Sequence, residues 1–265
     1  LTFKEHIELL FPKNAQDTHV KMVRIACHIK EFQKLLPVST LLNEKGFEVC
    51  FNIMQFSELL EDKIKLFCSL AKNFPIDILY FADSLGSLSP KEVSEKLDLI
   101  INNWDKPIGI HTHNNLGLAL LNSVTAIEKK IEYIDSTVTG MGRGPGNAKT
   151  EELLIEAQFL RGSKYDLISL SNLISSYFKP LQKKLEWGDN FFYYIAGKRK
   201  IHPTYIQEII KNPSFSNEDI LAYLDFLGKI DSKSYKYSKL NNVLESFFDI
   251  SLLKINNVKF PTKSK

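Results

Sequence analysis

Two histidines separated by one residue follow an apolar run and have the types and spacing of metal ligands. Residues 108–110 read Ile-Gly-Ile, and His111, Thr112 and His113 come next, followed by two asparagines. If this run is a strand, its side chains alternate between faces, so both imidazoles point the same way with Cα atoms about 6.5–7 Å apart. Such a pair can bind one ion, because metal–nitrogen bonds are about 2.0–2.2 Å long. An isolated pair is more often structural, but the apolar strand and a later glycine-rich loop favour a site.

The glycine-rich loop reads GMGRGPGN over residues 140–147 and contains Arg143 and Asn147. It lacks both standard phosphate-binding patterns. Pro145 and Asn147 interrupt the dinucleotide pattern, and no glycine precedes Lys149 as a P-loop requires. Arg143 could still contact an anionic substrate.

Composition describes an ordinary globular chain with room for a large core. The 265 residues are 44% hydrophobic and 25% charged, with a net charge of +3, so they suit one large α/β domain or a domain with an appendage. This charge gives no reason to expect nucleic acid as a partner. No apolar run approaches the roughly 20 residues that cross a bilayer, so no membrane partner is expected. Three cysteines suggest reduced core residues in a cytoplasmic protein.

Short β-branched or aromatic runs repeat along the first half of the chain. They begin at residues 22, 48, 77, 107 and 133, so the intervals are 26, 29, 30 and 26 residues. Helix-period segments follow the first four runs, and one of them opens with Ser89, Pro90 and Glu92, which form a capping box. The alternation predicts βα units and a parallel sheet. Five units fit either a doubly wound sheet or part of a (β/α)₈ barrel.

Beyond Thr150 the pattern becomes helical. A helix is predicted to reach about residue 160, and further helices are predicted over residues 167–185, 202–212, 217–227 and 240–248. We therefore expect part of a barrel domain over residues 1–164, a helical C-terminal domain over 165–250 and a tail over 251–265.

In parallel α/β folds, the working groups gather at the C-terminal ends of the strands. This rule adds His28, Asp83 and Ser84 to the histidine pair as candidate substrate contacts. Two of them have structural alternatives: Asp83 could satisfy the turn that contains Gly86, and His28 could cap a carbonyl group.

Together these motifs resemble the DRE-TIM metallolyase superfamily. The pattern H-x-H-N-N-L-G-L-A begins at His111, Asn147 follows 36 residues later in a Gly-Asn pair, and A-D-S-x-G spans residues 82–86. The resemblance covers nearly all of residues 20–230 and, within this HMG-CoA lyase-like superfamily, is nearest to the 4-hydroxy-2-oxovalerate aldolase branch. In that comparison, V-R-I-A-C-H at residues 23–28 resembles the fourth barrel strand. Pro180, Gln182 and the Ala-Gly pair at 196–197 resemble the helical C-terminal domain.

The resemblance implies a metal-dependent lyase that cleaves a 4-hydroxy-2-oxo acid to pyruvate and an aldehyde. A divalent cation, Mn²⁺ or Mg²⁺, would be held by His111 and His113 with Asn147 beside it. The ion would bind the small 2-oxo acid and act as a Lewis acid that stabilises the pyruvate enolate. His111 and Ser84 would contact the substrate. Where the aldolases place a catalytic tyrosine, the match puts His202, with Tyr205 as the other candidate.

The chain departs from the family pattern at its beginning. Family members start with a strand that carries an aspartate ligand, and residues 1–20 contain no such motif. We therefore expect strands four to eight of a (β/α)₈ TIM barrel, either as a truncated piece of a complete enzyme or as a chain completed by another. Two other functions stay open: a Claisen-type synthase that joins an acyl-CoA to a 2-oxo acid, and an inactive barrel remnant that serves as a binding module. A homo-oligomer or a partner dehydrogenase is also expected.

Overall fold

One parallel sheet of five strands organises the part of the chain that the structure describes, residues 2–236 and Ser238 of a computed structural model. The strands lie in chain order: β1 (Met22–His28), β2 (Glu48–Met54), β3 (Ile78–Asp83), β4 (Ile108–Thr112) and β5 (Tyr133–Ile134). Helices connect the first four strands to their neighbours, as the spacing of the apolar runs predicts. The expectation of an α/β fold with about five βα units is confirmed.

Eleven α-helices accompany the sheet within the described residues. They are α1 (Phe3–Leu10), α2 (Ile29–Glu44), α3 (Glu61–Ala71), α4 (Pro90–Ile101), α5 (Ala119–Glu128), α6 (Thr150–Arg161), α7 (Leu167–Leu173), α8 (Lys179–Leu185), α9 (Phe191–Lys198), α10 (Pro203–Ile210) and α11 (Asn217–Lys229). The capping box at Ser89 is present, since its hydroxyl accepts from the Glu92 amide at 3.3 Å and its amide donates to the Glu92 carboxylate at 2.8 Å. The helix predicted at 240–248 and the tail at 251–265 lie outside the described residues.

The main core lies between the sheet and the helices that cross it. Phe32 of α2 packs against Phe51 of β2 and Phe67 of α3, with ring centroids 5.3 and 4.2 Å apart, and Phe67 contacts Phe81 of β3. All three cysteines are buried, as predicted for core residues. Burial raises the pKa of each thiol to about 12, so none is a ready nucleophile.

The opposite side of the sheet, which we call the site face, carries the polar side chains. The strand register aligns Tyr80 with Gly109 and, one row nearer the C-terminal ends, Ala82 with His111. A Cβ atom at Gly109 would lie 2.2 Å from the Tyr80 ring, so a glycine is needed there for the tyrosine to lie across β4. The site face therefore holds an aromatic layer beneath the histidine row.

The fifth strand is shorter than predicted. The prediction of a strand over residues 133–138 is wrong beyond Ile134, although the Asp135 amide still donates to the Ile110 carbonyl at 3.0 Å. Thr137 pairs instead with the chain beyond the glycine-rich loop, since its amide donates to Ala148 and its carbonyl accepts from Thr150, at 3.0 and 2.9 Å. These long-range bonds turn the chain out of the sheet.

The helical region after α6 has a core of its own. Tyr205 of α10 and Tyr223 and Leu224 of α11 are fully buried in a cluster that also contains Tyr193 of α9. The helix predicted over 167–185 is observed as α7 and α8 joined by a π-helical turn (Ile174–Phe178), which lies just before Pro180, a residue that lacks a backbone N–H. The domain boundary between residues 164 and 165 stays a prediction. In the described part of the chain, every helix is too short or too polar to span a bilayer.

Candidate functional site

The two histidines of β4 lie side by side at the C-terminal end of the sheet. Their ring centroids are 4.8 Å apart, and the ring planes meet at 76°. His113 also forms a β-bridge with Asn147, so the glycine-rich loop is adjacent to the pair. The structure thus brings together the three residues for which the family resemblance implies metal binding.

Hydrogen bonds in which Nδ1 is the donor set the orientation of both imidazoles. His113 Nδ1 lies 2.8 Å from the Asp83 carbonyl oxygen, and His111 Nδ1 lies 2.9 Å from Asp135 Oδ2. Because both partners are acceptors, Nδ1 is the donor in each contact, and in the neutral form of either ring Nε2 is the nitrogen with the lone pair. A metal-binding histidine normally has this arrangement, with one nitrogen held by a carboxylate or carbonyl and the other free for the ion.

His113 is held in the neutral form. Burial is the largest of the effects that lower its pKa to about 3, and the neighbouring His111, Arg143 and His202 act in the same direction, against the opposing effect of the Asp83 carbonyl. A neutral imidazole is the form that binds a metal ion, so this environment keeps the ring available as a ligand.

Asp135 links the histidine pair to the rest of the site face, and sequence reasoning missed it. Besides His111, its carboxylate accepts from Arg24 Nη1 at 2.7 Å and from the Tyr80 hydroxyl. Burial acts to raise the pKa of Asp135, but the contacts with His111 and Arg24 outweigh it and lower the pKa below its ordinary value. A signal existed in the sequence: Asp135 comes two residues after Tyr133, as His111 comes two after Gly109.

The loop conformation directs the Asn147 side chain. A Cβ atom at Gly146, where φ is +81°, would lie 2.2 Å from the Gly140 carbonyl oxygen, so this close turn requires glycine. The Asn147 amide nitrogen donates to the Met141 carbonyl at 3.2 Å and to Thr137 Oγ1 at 3.4 Å. Its amide oxygen is left as the side-chain group that can accept from a ligand or bind a cation.

These groups fit a divalent cation as part of its coordination shell. Within residues 2–236 and 238, no three His, Cys, Asp or Glu side chains form a cluster that could hold a metal ion. His111 and His113 would therefore supply two nitrogen ligands, with Asn147 near them. Mg²⁺ and Mn²⁺ prefer oxygen, so the remaining positions would need oxygen donors such as water, substrate or a carboxylate.

A cavity of about 480 Å³ opens at the junction of strand ends and helical region, and two of its lining residues, Arg143 and His202, also act on the pKa of His113. His28 from the end of β1, Arg143 from the loop and His202 all line it, so three sequence-predicted residues meet there. His202 precedes α10 as its N-cap and accepts from the Thr204 amide through Nδ1 at 3.3 Å, which leaves Nε2–H as a donor. Burial, with the nearby Arg143 and His28 acting in the same direction, lowers the pKa of His202 to about 4, so the ring is neutral.

The other candidates lie at a distance from this cavity or have structural partners. Tyr205 is fully buried, and its hydroxyl donates to the Ser234 carbonyl and accepts from the Lys236 amide, at 3.2 and 2.9 Å. The Asp83 carboxylate accepts from two amides of the following turn, and burial raises its pKa to about 6. Ser84 Oγ accepts from the Gln55 amide at 2.9 Å. Of the two candidates for the catalytic position in the helical region, the geometry favours His202.

Comparison with known proteins places the chain among lyases. Residues 17–175 match the model of the HMGL-like family. A 4-hydroxy-2-oxovalerate aldolase from Bacillus thuringiensis (strain Al Hakam) is 35% identical over 142 residues, which cover 54% of this chain and 42% of the aldolase. The aldolase of the same name from Pelotomaculum thermopropionicum is 36% identical over 135 residues, or 51% of this chain and 40% of the relative. The matched part is thus less than half the length of these curated relatives.

Solved structures agree with this relationship. The N-terminal domain of a candidate aldolase from Bacteroides vulgatus superposes with a TM-score of 0.72 at 32% identity, covering 84% of this chain and 72% of that one. The HMG-CoA lyase of Bacillus subtilis, at 18% identity and a TM-score of 0.56 over 66% of each chain, shares the fold. The family model covers more than half of the sequence and includes the His-Thr-His motif and the Gly-Asn loop. The chain belongs to the HMGL-like family, as its motifs predicted.

Proposed function

We propose that this chain binds the metal and the substrate of an aldolase reaction that cleaves a 4-hydroxy-2-oxo acid into pyruvate and an aldehyde. One observation carries the proposal: His111 and His113 share a face, both have Nδ1 occupied by an acceptor, and both keep Nε2 for an ion. The family match and the aldolase relatives support the same chemistry.

The bound cation, Mn²⁺ or Mg²⁺, would supply positive charge to the carboxylate and keto oxygens of the 2-oxo acid, which favours the build-up of negative charge during cleavage. His111 and His113 would hold it, and Asp135 would keep the His111 ring in the binding orientation. Asn147 would contribute its amide oxygen to the ion or to the substrate.

The remaining residues would carry out the proton transfers of the reaction, from the 4-hydroxyl group and to C3. Cleavage removes the proton of the 4-hydroxyl group and breaks the C3–C4 bond; the electron pair stays on C3, which then takes up a proton. His202 would orient the hydroxyl oxygen by donating from Nε2, and His28, which lines the same cavity, would accept the hydroxyl proton and return one to C3. Arg143 would attract the anionic substrate to the cavity.

Metal removal tests this proposal. The protein is stripped with EDTA and given 4-hydroxy-2-oxopentanoate, and the pyruvate methyl signal is followed by proton NMR. We expect no pyruvate above the uncatalysed rate until Mn²⁺ or Mg²⁺ is restored. Absence of pyruvate with every divalent metal, in a folded protein, would overturn the proposal and favour the inactive-module alternative.

Exchanging Asp135 for asparagine tests how His111 is held. Asp135→Asn should weaken Mn²⁺ binding about 10- to 100-fold, because a partner of a metal-binding histidine typically contributes that much. Calorimetric titration with Mn²⁺ gives the dissociation constant. Arg24→Gln is the matched control, since it removes the 2.7 Å ion pair of Asp135 but leaves the His111 contact. An affinity loss as large in Arg24→Gln would show that the effect comes from the ion pair and not from the orientation of His111.

A further inference from the structure

The cavity that His28, Arg143 and His202 line is formed mainly by side chains with polar groups. Its volume is about 480 Å³, and no aliphatic side chain contributes to it: the lining residues are His28, Gln55, Arg143, His202, Thr204, Gln207, Glu208, Ser234 and Tyr235. Pockets for small organic ligands are usually lined mainly by apolar side chains with a few polar groups. A cavity lined by polar and amphipathic groups alone suits an equally polar occupant.

Several of these polar groups have their hydrogen-bonding capacity free. Arg143, Gln207 and Glu208 have no hydrogen-bond or ion-pair partner for their side chains within the described residues. These three groups include both donors and acceptors of hydrogen bonds: the guanidinium donates, the carboxylate accepts, and the Gln207 amide does both. His202 adds a further donor, because its Nδ1 accepts from Thr204 and its Nε2–H is left. Arg143 and Glu208 have opposite charges, so the lining combines a group that favours the substrate carboxylate with one that accepts hydrogen bonds.

The size and polarity of this cavity indicate which chemical group is attached to C4 of the substrate. The name of the 4-hydroxy-2-oxovalerate aldolases describes a five-carbon substrate that ends in a methyl group. A methyl group has about the size of a water molecule, which takes about 30 Å³, and it would fill little of the cavity. An alkyl chain would also displace water from donors and acceptors without replacing the hydrogen bonds.

We propose that this cavity binds a short polyhydroxylated chain, so that the aldehyde released or accepted is a hydroxyaldehyde and not an alkyl aldehyde. The inference rests on the proposed aldolase function and names its substrate class. Hydroxyl groups both donate and accept, and they would pair with the guanidinium, the carboxylate and the amide that line the cavity. A site built to bond a hydroxyl discriminates strongly against an analogue without it.

Aldol addition in the reverse direction gives a matched test. Pyruvate and Mn²⁺ are supplied with either glyceraldehyde or propanal, which have the same number of carbons, and product formation is followed by NMR. In each case pyruvate C3 forms a bond to the aldehyde carbon, and the proton lost from C3 ends on the new hydroxyl oxygen. We expect kcat/KM for glyceraldehyde to exceed that for propanal about 100-fold after correction for hydration of the two aldehydes.

Gln207→Leu should lower this preference about 10-fold by replacing an amide with an isobutyl group of similar size. Gln33→Leu, which changes an exposed glutamine of α2 outside the cavity, is the matched control and should leave the preference unchanged. Equal or better turnover of propanal in the unaltered protein would overturn the inference while leaving the aldolase proposal standing.

A binding measurement separates the two proposals if no turnover is seen. In ¹⁵N-labelled protein, the side-chain amide signals of Gln207 are identified by their loss in Gln207→Leu. Titration with glyceraldehyde should shift them, and propanal at equal concentration should not. A shift without turnover would support the cavity assignment and count against the aldolase. No selective shift, or equal shifts with both aldehydes, would contradict the cavity assignment.

Discussion

Replacing either His111 or His113 with alanine is expected to weaken Mn²⁺ binding by more than about 100-fold and to abolish metal-dependent cleavage. The reason is the small number of proposed ligands: within the described residues, two imidazole nitrogens would bind the ion, and each variant removes one of them. Calorimetry and electron paramagnetic resonance of Mn²⁺ measure the affinity, and the NMR assay for pyruvate measures the activity.

His19→Ala is the matched control, because His19 is an exposed histidine before β1. It should bind Mn²⁺ as the unaltered protein does. Loss of the partly buried His113 ring also risks unfolding, so His113→Gln, which keeps most of the volume, is measured beside it with circular dichroism as a check on folding. Normal Mn²⁺ affinity or full activity in folded His111→Ala or His113→Ala protein would refute the ligand assignment.

The second large effect is expected at His202. His202→Asn should lower turnover about 100-fold, because a positioned acid–base group typically contributes a factor of that order. Mn²⁺ affinity should change by less than about 2-fold, since His202 is not one of the proposed ligands. Asparagine is chosen because it is a good N-cap residue, so α10 keeps its N-terminal cap while the imidazole is lost.

Tyr205→Phe provides the comparison for this variant. The tyrosine hydroxyl bonds two backbone groups inside the helical core, so its loss should lower the free energy of unfolding by about 1 kcal/mol and leave the turnover of the folded protein unchanged. If His202→Asn has normal turnover, the helical region does not contribute that group to the site. If Tyr205→Phe has the larger effect on turnover, the assignment of the two residues is reversed.

Much of the sheet could be predicted because its signals are local. Apolar runs at intervals of 26 to 30 residues identified all five strands, and the residue pattern at Ser89 identified a helix start. The end of β5 could not be predicted in this way, because Thr137 leaves the sheet to bond residues beyond a loop. Helix α9 was also missed: its aromatic sequence, Phe-Phe-Tyr-Tyr, has low helix propensity, and burial of Tyr193 and an Asn190 cap favour the helix instead.

In the candidate site, too, the residues with local sequence signals could be predicted and those that depend on long-range contacts could not. His111 and His113 were found from a spacing within one strand, which sequence shows directly. Asp135 was missed because its role depends on the pairing of β4 with β5, and Arg24 reaches it from the opposite edge of the sheet. The orientations of the two rings could not be predicted from the sequence either, because the groups that accept from Nδ1 belong to β3 and to the chain after β5.

The most direct test of the shared metal site is diffraction from crystals grown with Mn²⁺, with data collected at the manganese absorption edge. We expect an anomalous peak at bonding distance from Nε2 of both His111 and His113, with Asn147 beside it. A peak bound to only one of the rings, a peak elsewhere on the protein, or no peak at saturating Mn²⁺ would refute a metal ion shared by the two histidines.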